Sequence, residues 1–168
     1  MTVSCGESRT DIRVDPDGRT GRPGEDEDMI VVGIDGSEGA ARALRFAAGE
    51  AVLRNTDLRI VAVWSVPAAY YASEAMAPNI PLDEFERSMR SAAERQIDAC
   101  LAEHPDLKMH LIVVEGTPSQ VLVEKSEGAD MLVVGSRGLG GFRGLMLGSV
   151  GQQCAHHASC PVVIVPHG

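Results

Sequence analysis

Residues 29–34 read Met-Ile-Val-Val-Gly-Ile, a continuous apolar run rather than an alternation of apolar and polar residues. A strand of this kind is covered on both faces, as in a parallel sheet with helices on either side. Asp35-Gly36-Ser37 ends the run, and apolar residues then recur at helical spacing from Glu38 to Arg54. This first strand and helix favour an α/β fold.

The first helix has a predicted start and a predicted buried face. Ser37 suits an N-cap because its hydroxyl can accept a hydrogen bond from the first helical turn. Ala41, Leu44, Ala48 and Val52 follow helical spacing and are expected to face the sheet.

Strand and helix patterns alternate through the rest of the chain, which predicts a right-handed parallel sheet with helices on both faces. Residues 67–81 are expected to form an irregular connection, and Thr117 is expected to cap a short helix that begins at Pro118. The further predicted elements are strands over Leu58–Trp64, Met109–Glu115, Met131–Gly135 and Pro161–Val165, and helices over Asp83–His104 and from about Ser149. The second helix has an apolar face of Phe85, Met89, Ala92, Ala93, Ile97 and Leu101. We therefore expect a three-layer α/β/α sandwich with five strands.

Composition divides the chain into two parts. Residues 1–28 are rich in charge, glycine and proline and are expected to form a disordered arm, whereas residues 29–168 form one predicted domain. We expect a soluble, cytoplasmic protein, because no apolar stretch suits a signal peptide or a membrane span and the four cysteines show no CxxC spacing. The net charge of −9 disfavours binding to nucleic acid or to anionic lipid.

The most informative segment for function is the glycine-rich loop after the fourth strand. Residues 135–149 read Gly-Ser-Arg-Gly-Leu-Gly-Gly-Phe-Arg-Gly-Leu-Met-Leu-Gly-Ser. Glycines let backbone N–H groups approach an anion, and a helix that begins at Ser149 adds the positive end of its dipole. Arg137 and Arg143 add positive charge, and the Ser149 hydroxyl suits a phosphate oxygen or a magnesium ion. The loop therefore predicts a polyphosphate site.

Two common nucleotide motifs are absent from the sequence. A Walker A loop ends in Gly-Lys-Ser/Thr, but Gly148 is followed directly by Ser149. The dinucleotide fingerprint GxGxxG follows a first strand, but residues 33–37 read Gly-Ile-Asp-Gly-Ser. Neither a P-loop NTPase nor an NAD enzyme fits.

The spacing of Gly135, Gly138, Gly148 and Ser149 resembles the G-x2-G-x9-G-S/T motif of ATP-binding universal stress proteins. The similarity extends over residues 29–166. It includes the first strand that ends in Asp35, residues 116–118 (Gly-Thr-Pro) and residues 157–162 (His-Ala-Ser-Cys-Pro-Val).

This resemblance implies a flavodoxin-like sheet of order 3-2-1-4-5, with ligand at the carboxyl ends of strands 1 and 4. It implies ATP, with or without magnesium, whose adenosine part contacts Asp35 and Val63, and a homodimer formed through Val162 to Val165. On the sequence alone Asp35 is equally suited to capping the first helix. The predicted nucleotide-binding residues are Gly33, Ile34, Asp35, Val63, Val134, Gly135, Arg137, Gly138, Gly148, Ser149 and Val150.

Several alternatives remain open at this point. A cyclic AMP-binding protein, a weak magnesium-dependent ATPase and a protein-binding scaffold all suit the same fold, although no convincing catalytic group accompanies the loop. We predict no metal site: zinc at Cys154, His156, His157 and Cys160 is disfavoured, because four ligands at a helix end and a buried strand are hard to converge.

Overall fold

The computed structural model describes residues 13–14, 29–66, 82–139 and 147–167. Its strands are β1 (Arg13–Val14), β2 (Met29–Ile34), β3 (Asp57–Trp64), β4 (Met109–Glu115), β5 (Met131–Gly135) and β6 (Val162–Val165). Its helices are α1 (Glu38–Arg54), α2 (Leu82–Leu101), α3 (Pro118–Lys125) and α4 (Ser149–His157). Within these ranges no helix is long and apolar enough to cross a membrane.

The strands form one sheet of order β1-β4-β3-β2-β5-β6, and every neighbouring pair is parallel. Counted from Met29, the order is 3-2-1-4-5, which confirms the predicted winding. Helices α1 and α2 pack on one face, and α3 and α4 pack on the other. The apolar run of residues 29–34 is covered on both faces, as predicted. Ile30 and Val32 belong to one core cluster, and Val31 belongs to the other.

The buried face of α1 differs from the prediction. Ser37 is the N-cap, and its Oγ accepts a hydrogen bond from the Ala40 N–H at 3.1 Å, as expected. Val52, however, is 51% exposed. The helix buries mainly small residues: Gly39, Ala40, Ala43, Leu44, Ala47, Ala48 and Ala51. A stripe of small side chains lets the helix lie close to the sheet, so the bulkier Val52 is left on the outer side.

Smaller corrections concern the ends of two helices. The second predicted helix ends at Leu101 rather than at His104. Thr117 occupies the N-cap position of α3, but its side chain makes no capping hydrogen bond.

The sixth strand, β1, was not predicted from the sequence. Its two residues pair with β4, Arg13 opposite His110 and Val14 opposite Leu111. Residues 1–12, 15–28 and 67–81 lie outside the described residues, so the disordered arm and the irregular connection remain predictions there.

Candidate functional site

A cavity of about 810 Å³ lies at the carboxyl ends of the central strands, where the chain order reverses between β2 and β5. The structure brings all the predicted nucleotide-binding residues to its wall: Gly33, Ile34, Asp35, Val63, Val134, Gly135, Arg137, Gly138, Gly148, Ser149 and Val150. Residues up to 117 positions apart in sequence, Gly33 and Val150, thus share one pocket because parallel strands end at the same edge of the sheet. Their role in binding remains a prediction.

Asp35 joins the turn after β2 to the glycine loop. Its Oδ1 accepts a hydrogen bond from the Ser37 N–H at 3.0 Å, and its Oδ2 accepts one from the Leu139 N–H at 2.8 Å. The carboxylate therefore links the start of the loop to the end of β2, in addition to lining the pocket. The helix cap itself is Ser37, so Asp35 supports the cap without replacing it.

Two glycines lie where the loop passes very close to its neighbours. A Cβ on Gly138 would lie 2.2 Å from Asp35 Oδ2, and one on Gly135 would lie 3.0 Å from the Gly39 carbonyl oxygen. Gly148 is less constrained, since a Cβ there would meet the Ser136 carbonyl oxygen at 3.5 Å. A side chain on Gly138 would therefore displace the Asp35 carboxylate, whereas a Cβ on Gly148 would make only ordinary contacts.

The N-terminus of α4 opens onto this pocket without a side-chain cap. Its N-cap residue is Gly148, and its first turn carries no acidic residue. Ser149, Val150 and Gly151 line the cavity, so the first-turn N–H groups lie at its wall. These N–H groups have no intrahelical acceptor and concentrate partial positive charge at the helix end.

Ser136 fixes this helix end to the sheet. Its carbonyl oxygen accepts a hydrogen bond from the Gly148 N–H at 2.8 Å, and its own N–H donates to the Val165 carbonyl at 2.7 Å. Its Oγ accepts from the His167 N–H at 2.9 Å. The helix N-terminus is thus held in place by backbone bonds to β6 on one side and to the loop on the other.

Arg137 supplies a second positive feature at the pocket wall. Its Nε is buried and makes no hydrogen bond to any residue that the structure describes. A buried guanidinium N–H without an acceptor is unfavourable, and this atom is shielded from the cavity as well as from solvent. Arg143, the other loop arginine of the sequence analysis, lies outside the described residues.

One wall of the pocket was missed by the sequence analysis. Trp64 and four residues of α2 line the cavity, namely Phe85, Ser88, Met89 and Ala92. The signal was present, because Phe85, Met89 and Ala92 belong to the apolar face predicted for the second helix. Only the later part of that face, including Ala93 and Ile97, is fully buried, and its earlier part lines the cavity.

The cysteine and histidine group near the C-terminus does not converge on a metal. His156 and His157 are exposed at the end of α4, whereas Cys154 is fully buried. Burial raises the pKa of the Cys154 thiol to about 11, and the neighbouring Cys160 adds to this shift. Among the described residues, no three His, Cys, Asp or Glu side chains are arranged to hold a metal ion.

The sheet order and the pocket at its switch point define a flavodoxin-like α/β protein with a small-molecule cavity. The universal stress protein family model matches residues 28–166, and the chain therefore belongs to this family. Universal stress protein Rv2623 of Mycobacterium tuberculosis is 32% identical over 143 residues, which cover 80% of this chain and 44% of Rv2623. The chain thus spans less than half the length of the curated relatives it matches.

Solved structures agree with this assignment. A universal stress protein crystallised in complex with cAMP is 28% identical, covers 84% of this chain and 98% of its own, and superposes with a TM-score of 0.55. The hypothetical protein MJ0577 is 22% identical, covers 85% of this chain and 98% of its own, and has a TM-score of 0.66. The likeness to MJ0577 supports the fold alone, whereas the 28% identical relative was crystallised with a nucleotide.

Proposed function

We propose that this chain is a nucleotide-binding stress-response module that takes ATP in the pocket between β2 and β5. The observation that carries the proposal is the N-terminus of α4, which opens onto the cavity with a glycine N-cap and no acidic residue in its first turn. A phosphate group would accept hydrogen bonds from these N–H groups and would be stabilised by the helix dipole.

Helix α1 of the same chain provides an internal comparison. Its N-terminus is capped by Ser37 Oγ, and Glu38 places a carboxylate in its first turn. An external anion is therefore not needed there, although α1 begins beside the same pocket. The contrast favours α4 as the end at which a ligand replaces the missing cap.

ATP suits the remaining features of the site. Its triphosphate would lie at the α4 N-terminus near Arg137, and its nucleoside would lie against the apolar part of the wall. A cavity of about 810 Å³ is within the usual range for a ligand of this size. Magnesium would be carried by the phosphates rather than by a protein cage, as is usual for this ion.

Cyclic AMP is the second candidate, because the 28% identical relative was crystallised with it. Its single phosphate would use only part of the positive surface. A thermal-shift titration with ATP and with cAMP, each with magnesium and with EDTA, separates the two. At one hundred times Kd a ligand of the native state adds about 2.7 kcal/mol, or roughly 5–10 °C in Tm. A larger shift with magnesium-ATP supports the proposal, a larger shift with cAMP supports the alternative, and no shift with either contradicts both.

Rapid ATP hydrolysis is not part of the proposal. Both oxygens of Asp35 already accept backbone hydrogen bonds, which disfavours this carboxylate as a general base. A weak magnesium-dependent ATPase would be revealed by phosphate release that disappears with EDTA and falls in Asp35→Ala. Equal rates in the two proteins would instead indicate a contaminating enzyme.

We further propose that two copies pair through β6. This strand lies at the edge of the sheet, and its four apolar residues are half-buried. The Pro161 and Val165 carbonyls face β5, so by alternation the backbone N–H and C=O of Ile164 point away from the sheet. An apolar edge with outward backbone groups is suited to pairing with a second copy.

Ile164→Pro and Ile164→Ala test this interface. Both variants remove the isoleucine side chain, but only proline removes the outward N–H. We expect Ile164→Pro to be monomeric by light scattering and Ile164→Ala to retain more dimer. A monomeric starting protein would contradict the proposed dimer directly.

Cytoplasmic location, an arm over residues 1–28 that is disordered apart from β1, and a domain over residues 29–168 complete the proposal. The described cysteines, Cys100, Cys154 and Cys160, are free thiols, which suits a reducing compartment. The net charge of −9 opposes binding to nucleic acid. Limited proteolysis is expected to remove the arm and leave a stable core from about Met29.

A further inference from the structure

The arginines of α1 and α2 fall into two groups. Four of them form ion pairs with an acidic residue one helical turn earlier: Arg42 with Glu38, Arg54 with Glu50, Arg87 with Asp83 and Arg90 with Glu86. Arg45 and Arg95 instead have Ala41 and Ser91 at that position. These two form no ion pair with any residue that the structure describes, although the net charge of the chain is −9.

Arg45 and Arg95 line the same groove between α1 and α2. The groove has a volume of about 190 Å³, and both arginine side chains are exposed. Its other lining residues are mostly small: Gly36, Ala41, Ala92, Gln96, Ala99, Cys100 and Glu103. Two guanidinium groups of like charge therefore lie at one small space, each on a different helix.

The groove is distinct from the nucleotide pocket. A Cβ on Gly36 would lie 3.3 Å from Ala92 Cβ, so the turn after β2 and helix α2 are in close contact. Gln96 Nε2 donates a hydrogen bond to the Ser37 carbonyl oxygen at 2.9 Å and holds the two elements together. Neither Arg45 nor Arg95 is among the described residues that line the nucleotide pocket. A ligand held by these arginines would therefore occupy a site of its own.

We propose that this groove is an anion site in which Arg45 and Arg95 together hold one phosphate or carboxylate group of a small molecule. A guanidinium group donates paired hydrogen bonds to the oxygens of both kinds of anion. An anion between two cations also reduces the repulsion between them. The site would thus supply the negative partner that the other four arginines find within their own helix.

Glu103 restricts the class of ligand. Its carboxylate lines the same groove and would repel a second negative charge. This disfavours a polyphosphate or a run of acidic residues from another chain. A small molecule with a single anionic group fits better, and a hydroxyl or amino group on it would donate to Glu103.

NMR titrations of the full chain with inorganic phosphate and with acetate test the site. We expect saturable shift changes at the amides of Ala41 and Ala99 and at the Nε–H groups of Arg45 and Arg95. The Kd should be roughly millimolar, because exposed charges are screened by water and salt. Sodium chloride at equal ionic strength is the control for screening. Phosphate bound at the α4 N-terminus would instead shift Ser149, so the two sites are observed separately.

Variants of the arginines provide the second arm of the test. Arg45→Gln and Arg95→Gln are each expected to weaken binding in the groove roughly tenfold. Arg42→Gln and Arg87→Gln are the matched controls, because they make the same change in net charge on the same helices. Thermal unfolding of each variant verifies that it is folded.

Ser91→Glu tests the explanation without removing a cation. It gives Arg95 the acidic residue one turn earlier that the paired arginines have, and Ser91 is exposed. We expect this variant also to bind phosphate and acetate more weakly, although both arginines are still present.

The outcomes decide the proposal. Groove shifts that weaken in Arg45→Gln and Arg95→Gln but persist in the controls support it, and the more tightly bound probe identifies the preferred anionic group. Equal weakening in all four glutamine variants would indicate general attraction to a charged surface and would overturn it. Absence of saturable changes in the groove at tens of millimolar of either probe would also overturn it, whether or not the nucleotide pocket binds phosphate.

Discussion

Gly138→Ala is expected to loosen the glycine loop by breaking its attachment to Asp35. The added Cβ would lie 2.2 Å from Asp35 Oδ2, a distance that Cβ atoms in proteins essentially never show. The loop and the carboxylate would have to separate by roughly 1 Å, which is enough to break the 2.8 Å hydrogen bond from the Leu139 N–H. The change therefore acts on the geometry of the loop before any ligand is present.

The expected loss of stability is modest. Hydrogen bonds to charged groups contribute about 1.5–3 kcal/mol, but this one is exposed to solvent, so about 1 kcal/mol is a better figure. Such a loss lowers Tm by roughly 2–4 °C in a domain of this size. Nucleotide affinity should fall more strongly, by roughly tenfold or more, because the displaced N–H groups no longer converge on a phosphate.

Gly49→Ala is the matched control for this substitution. Gly49 lies inside α1, and a Cβ there would meet nothing within 4 Å. Alanine in a helix is more stable than glycine by about 0.5–1 kcal/mol, so Tm should rise slightly and binding should not change. Calorimetric titration with ATP measures the affinities. A Gly138→Ala protein with the affinity and Tm of the unmodified protein would refute the proposed attachment of the loop through Asp35.

Three further predictions concern stability and the accessibility of buried groups. Burial raises the pKa of Cys100 and Cys154 from the ordinary value of 9.0 to about 11, so the unfolded chain releases these protons first. The free energy of unfolding should therefore fall between about pH 9 and pH 11, and less steeply in Cys154→Ala, as urea titrations at each pH would measure. Iodoacetamide should modify the partly exposed Cys160 faster than Cys154 in the native protein, which peptide mass spectrometry would measure; equal rates would contradict the packing. Ser37→Ala should cost about 1 kcal/mol in urea unfolding through loss of the α1 cap, and an unchanged midpoint would contradict that cap.

The strands and their parallel pairing could be predicted because the strands carry their own signal, whereas the order 3-2-1-4-5 came from the resemblance to universal stress proteins. Apolar runs such as residues 29–34 arise when both faces of a strand are covered, and helices between them impose parallel pairing. The strand β1 carried no such signal, since two residues are too short for a pattern. It pairs with β4 because β4 would otherwise be the edge strand of the sheet.

The face of α1 could not be predicted from hydrophobicity alone. Alanine fits both a buried and an exposed position, and the packing distance between α1 and the sheet decides which is used. Gly39 shows how closely α1 also approaches the loop after β5, because a Cβ there would lie 2.5 Å from the Arg137 carbonyl oxygen. Val52 was assigned to the core by its hydrophobicity, although the small residues fill the interface.

The sequence predicted one end of the pocket but not the other. The loop residues were predicted because the spacing of Gly135, Gly138, Gly148 and Ser149 resembles a known motif. The wall formed by Trp64 and α2 has no sequence motif, since Phe85 and Met89 follow the ordinary spacing of an amphipathic helix. Only the arrangement in space shows that this helix face continues past the core into the cavity.

The central claim is that nucleotide phosphates bind at the N-terminus of α4, and amide NMR during an ATP titration tests it most directly. The account predicts that the largest shift changes fall on the N–H groups of Ser149, Val150 and Gly151, with smaller ones at Leu139 in the loop. Saturable changes confined to another part of the chain, or no changes at millimolar ATP, would contradict it.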